Sequence, residues 1–189
     1  MFRGALVDSI LWLAAAGAAL CSLLVWAGPR KATPVSVLLL VATLLAVNGA
    51  VAIRSVEMRW LWHASRVFGA LAGTALGIRY AMDAFWLPAN DVVRSTNMGQ
   101  ALVTLLFAAG LWGSWQTGSI RAGALVAMAA SVIGSTISVA VYVPLFFTTI
   151  IHNDPDPGEA FIVPMILLAV GAVLGTVGGM FGKGLSLLL

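Results

Sequence analysis

RSVEMRWLWHASRVFGALAGTALGIRYAMDAFWLP, residues 54–88, decides how the chain is read. Its middle has the composition of a membrane-spanning helix, yet it holds Arg54, Glu57, Arg59, His63, Arg66, Arg79 and Asp83. Only 12 uncharged residues separate Arg66 from Arg79. At 1.5 Å per residue they make about 18 Å of helix against a hydrocarbon core of about 30 Å, so at least one of these charges sits inside the bilayer thickness. An ionisable group at that depth is costly, turns toward protein or water, and marks a candidate functional site.

Three features of the stretch follow from helical spacing. Arg79 and Asp83 are four apart and share a face, where a structural ion pair competes with a ligand or transport pathway. Arg59, His63 and Arg66 fall on one face at spacings of four and three, flanked by Trp60 and Trp62. That pattern suits an interfacial anion or lipid contact, with cations near lipid phosphates. Gly69, Gly73 and Gly77, extended by Ser65 and Ala81, form a small-residue stripe that lets another helix backbone approach. Near the C-terminus Gly171, Gly175 and Gly179 repeat the device, with Gly178 and Gly182 as a parallel row. Both sets are expected to be helix-packing faces.

Outward from this stretch the composition sets the class. Hydrophobic residues are 61% of the 189 and charged residues 9%, so a solvated globular surface cannot be covered. The expected fold is all-α: a polytopic helical membrane protein with about six transmembrane helices in one bundle. The spans read as Ala5–Gly28, Pro34–Ile53, Met58–Leu87, Gly99–Trp115, Gly123–Ile151 and Phe161–Lys183. No loop is long enough for a soluble domain, and residues 1–189 form a single transmembrane helical domain. The glycine stripes lie in the third and sixth spans, which favours a 3+3 inverted repeat, although residues 1–90 and 95–189 show no residue-by-residue likeness.

Charge placement orients the chain. With the N-terminus inside, Arg3, Arg54, Arg59, Arg66, Arg121 and Lys183 are cytoplasmic and Arg30, Lys31, Arg79 and Arg94 are not. Both termini are therefore expected on the cytoplasmic side of a prokaryotic cytoplasmic membrane. The basic residues are scattered, which excludes a nucleic-acid surface despite a pI near 9.6. The single cysteine, Cys21, excludes an intrachain disulfide and a thiolate metal cage.

The remaining polar residues supply the other candidates. Asn48 in the second span suits an interhelical hydrogen bond. The fourth span reads as short. The fifth carries Ser131, Ser135, Ser138 and Tyr142 as one polar stripe, either back-bonded to its own helix or lining a hydrated path, and Pro144 is expected to kink it. In the loop IHNDPDPGEA, residues 151–160, His152, Asp154, Asp156 and Glu159 are candidate metal ligands, with an acidic turn as the plainer reading. No metal site and no cofactor is expected.

Common catalytic signatures are absent, and His63 and His152 are expected at different depths, which argues against a shared haem. Arg79, Tyr80 and Asp83 resemble the third helix of microbial rhodopsins, but a seventh helix and an acid one turn before Lys183 are missing, so that class is rejected. The expected function is a small transporter or channel for a small solute or ion, through Arg79, Asp83, Ser131, Ser135, Ser138 and Tyr142. The alternative is a noncatalytic subunit or assembly factor of a larger membrane complex. A membrane enzyme acting on lipid or quinone, with Asp83 or His63 as acid or base, stands third. Expected partners are the lipid bilayer and either a homo-oligomer or other membrane subunits.

Overall fold

The computed structural model describes residues 59–85, 91–147 and 157–188. They fold as four helices: α1 (Arg59–Phe85), α2 (Asp91–Thr117), α3 (Ile120–Phe147) and α4 (Pro157–Ser186). The expected first and second spans lie outside the described residues, as do Asn48, His152, Asp154 and Asp156.

Two helices, α3 over Ile120–Ser138 and α4 over Ile166–Ser186, are long and apolar enough to cross a membrane. The 19 residues of the α3 segment make about 28 Å of helix, close to the roughly 30 Å of a hydrocarbon core. This α3 segment is 67% buried inside the protein against 44% for that of α4. The most apolar segments therefore differ in what covers them. The α3 segment is apolar almost all round because protein surrounds it, whereas α4 keeps Val173, Val177, Met180 and Phe181 exposed.

The helices alternate in direction. Gly69 meets Ala130 and Ile133, Gly73 meets Gly134 and Ile137, and Gly77 meets Val141, so α1 and α3 run parallel. The same holds for α2 and α4, where Gly178 meets Phe107 and Leu111 while Gly182 meets Leu111 and Trp115. Between α3 and α4 the order reverses, with Gly171 at Ser131, Gly175 at Ala127 and Gly179 at Ile120. Alternate helices are thus parallel and successive ones antiparallel. α3 touches all three others, and among the described residues α1 and α4 do not meet.

The boundaries depart from the sequence reading in two places. The fourth span was expected to be short and to begin at Gly99, yet α2 starts at Asp91 and has 27 residues. Polar residues before Gly99 are compatible with helix once it extends past the apolar band, and an Asp in the first turn suits the positive end of the helix dipole. Glu159 belongs to the first turn of α4, not to a loop. Pro157 opens that helix, where its missing N–H costs nothing. Its neighbour Pro164 sits inside the helix, and its ring removes the donor that would reach the carbonyl of Ala160.

A two-residue turn joins α2 to α3. Gly118 takes φ +65, the left-handed value that a side chain disfavours. Its N–H donates to the Ser114 carbonyl at 2.7 Å. Ser119 then caps α3, its carbonyl accepting from Ala122 at 3.1 Å and its N–H donating to Thr117 Oγ1 at 3.3 Å.

Candidate functional site

The glycines gather the interior. A Cβ on Gly110 would lie 2.6 Å from the Gly175 Cα, one on Gly175 would lie 2.6 Å from Ala127 Cβ, and one on Gly123 would strike the Gly110 carbonyl. Gly110, Gly123 and Gly175 therefore form a junction at which three backbones are in contact. Ser114 crosses next to it, donating to the Gly179 carbonyl at 2.6 Å. Gly110 and Gly123 belong to no row of three in the sequence. Their role depends on which helices cross, and spacing along one helix does not reveal that.

The serine stripe lies in the same buried interior. Ser131, Ser135 and Ser138 are each 1% exposed. Ser131 donates to the Ala127 carbonyl at 2.9 Å and Ser138 to the Ser135 carbonyl at 2.8 Å. Ser135 Oγ alone of the three has no hydrogen-bond partner. Gly171 fits over Ser131 so closely that a Cβ there would collide with its hydroxyl. Continuing this α3–α4 register by one and two turns sets Ser135 opposite Leu167 and Ser138 opposite Pro164. The stripe thus faces α4.

Arg79 is half-buried on α1, whose glycine row meets the neighbouring α3 face of Ala130, Ile133, Gly134, Ile137 and Val141. Arg79 thus lies on α1, and Ser131, Ser135 and Ser138 lie on the neighbouring α3. Asp83 is in the last turn of α1 and Tyr142 near the end of α3. Among the described residues no group of three metal-ligating side chains occurs.

A cavity opens at the opposite end of the bundle. A cleft of about 570 Å³ between the start of α1 and the end of α2 is lined by Trp60, His63, Ala64, Val67, Phe68, Trp112, Gln116 and Thr117. Trp112 is held edge-to-face by Trp115, with ring centroids 5.6 Å apart, an arrangement favoured by the ring quadrupoles. Thr117 Oγ1 donates to the Gly113 carbonyl at 2.8 Å, and His63 and Gln116 are exposed polar side chains of the lining beside the indoles of Trp60 and Trp112. Arg66 is exposed one turn from His63, and Arg59 lies one turn before it. Arg121 and Lys183 are exposed at this same end. Among the described residues, the acids Asp83, Asp91 and Glu159 are all at the other end.

Compared with known protein families, with characterised proteins and with solved structures, the chain matches none.

Proposed function

We propose that the chain is an integral membrane protein of six spans, with cytoplasmic termini in a prokaryotic cytoplasmic membrane, that serves as a close-packed noncatalytic subunit or assembly factor. One observation carries this reading: Ser131, Ser135 and Ser138, the most polar line through α3, are each only 1% exposed, and Gly171 of α4 closes over Ser131. Hydroxyls bonded back to their own helix are a packing device, and backbone contacts at Gly110, Gly123 and Gly175 are gained by rigidity.

Transport of a small solute or ion is the second reading. It is favoured by the Ser135 hydroxyl, buried without a partner, and by the half-buried Arg79, four residues before Asp83. A pathway along the stripe would need a second conformation in which α4 parts from α3.

Thiol accessibility separates the two. In a Cys21→Ser background, cysteines placed at Ser131, Ser135 and Ser138 are expected to stay unreactive toward a small methanethiosulfonate in native membranes, while one at the exposed Thr117 reacts. Reaction at Ser135 and Ser138 at a rate near that of the Thr117 control would replace the subunit reading with a hydrated pathway.

A further inference from the structure

We propose that the cleft between α1 and α2 binds one anionic phospholipid, its phosphate on the His63–Arg66 side and one acyl chain along Trp60, Val67 and Trp112. The site rests on the membrane placement given under Proposed function, and adds a ligand to a region which that reading leaves without a role.

The head-group end follows from charge. His63 is on the rim of the cleft and Arg66 is exposed one turn further along, with Arg59 on the same face one turn before. Arg121 and Lys183 add two exposed cations at this end, and the described residues contribute no acid to it. Cations near a bilayer surface attract anionic head groups, and guanidinium groups match the geometry of phosphate oxygens. Trp60 and Trp112 belong at the same level, since indoles prefer the zone between head groups and chains.

The chain end distinguishes a lipid from a free anion. Beyond the cleft, an exposed apolar line runs on along α1 from Val67 through Leu71 and Ile78, exposed by 48%, 51% and 54%. These residues recur at seven, four and seven from Trp60 and so lie on one side of the helix. From Trp60 to Ile78 the line runs about 27 Å at 1.5 Å per residue, enough for a full acyl chain. A water-soluble phosphate would use only the first turn of this surface, whereas a phospholipid uses all of it.

The test uses the full chain in detergent micelles, with phosphatidylglycerol and phosphatidylcholine of identical chains titrated and bound lipid counted by native mass spectrometry. Phosphatidylglycerol is expected to bind at least about ten-fold tighter, with about five-fold of that lost in Arg66→Gln, the share of one cation near the surface. Trp112→Ala is expected to weaken both lipids equally and leave their ratio unchanged. Millimolar glycerol phosphate is expected not to compete. Equal affinity for the two lipids, or a ratio that survives Arg59→Gln with Arg66→Gln, overturns the site. Full competition by glycerol phosphate overturns it in favour of a small-anion site. A disulfide from Gln116→Cys to a cysteine at Leu11 (Cys21→Ser background) overturns it in favour of the chain's own first span, and one to a second copy in favour of a homodimer. Release of the protein by an alkaline wash of membranes would instead defeat the membrane placement itself, independently of any lipid ratio.

Discussion

The two sides of α2 meet their neighbours in opposite ways. Toward α3 and α4 it presents Gly110, Gly113 and Ser114, and the backbones approach until a single methyl would collide. Toward α1 it presents Trp112, Gln116 and Thr117 across a cleft of about 570 Å³. One helix thus carries a sealed face and an open one, and side-chain volume makes the difference. Small residues let dispersion and weak Cα–H contacts act over a long backbone seam, while the bulk of the indoles goes with an open cleft.

The sealed face breaks most readily at Gly175. Leucine there must enter space held by Ala127 Cβ at 2.6 Å and Ala124 Cα at 3.0 Å, and backbone atoms cannot step aside. The expected cost is about 3 kcal/mol or more, the upper end for overpacked sites. Gly184→Leu is the matched control, because nothing lies within 4 Å of a Cβ at that position. Thermal melting in detergent is expected to collapse for the first variant and to stay unchanged for the second. Equal melting temperatures would mean that the glycine seam is not where the stability lies.

How far these features can be read from the sequence depends on whether the signal is local. The rows Gly69–Gly73–Gly77 and Gly171–Gly175–Gly179 stand out because helical spacing aligns them on one face, and the atoms nearest them belong to neighbouring helices. The direction of the serine stripe was not legible, since a period states that Ser131, Ser135 and Ser138 share a face but not which helix that face meets. The cleft was half legible. Arg59, His63 and Arg66 with Trp60 mark the α1 side by period, but Trp112 and Gln116 join it through the packing of α2 against α1, which spacing along one helix does not reveal. The start of α2 was missed because Arg94, Ser95, Thr96 and Asn97 look like loop when polarity alone is weighed, although helix tolerates them wherever water or head groups are within reach.

A smaller effect sharpens the comparison at the α3–α4 seam. Gly171→Ala introduces one methyl against the Ser131 hydroxyl, for an expected loss of about 1–3 kcal/mol. Ser131→Ala alone removes only a bond to its own helix and is expected to be nearly neutral. The double variant is then expected to recover most of the loss, because the added methyl occupies the place of the hydroxyl. A double-mutant cycle with no coupling would show that the two residues are not packed together.

Ser114→Ala ranks next. Its hydroxyl donates across helices to the Gly179 carbonyl at 2.6 Å while fully buried. Loss of a buried interhelical hydrogen bond is expected to cost about 1 kcal/mol, whether the surroundings are lipid or protein. Unchanged unfolding in a denaturant titration would reassign the α2–α4 seam to packing alone.

The smallest expected effect is at Ser135, and its sign carries the information. A buried hydroxyl has lost its water, and Ser135 Oγ regains no hydrogen bond within the protein. Its neighbours one turn back and three residues on, Ser131 and Ser138, both find carbonyls of their own helix. Alanine at 135 removes the unmatched group and almost nothing else, so Ser135→Ala is expected to stabilise the fold by up to about 1 kcal/mol. The alternative is a partner that fills this place in the working protein, such as an ordered water or a permeating solute, since buried polar groups are rarely left unmatched. In that case the same substitution deletes a made hydrogen bond and destabilises the protein by about 1 kcal/mol. The two outcomes differ in sign, so a single melting comparison of Ser135→Ala with the parent, with Ser138→Ala as the back-bonded reference, decides whether this point of the α3–α4 seam is dry.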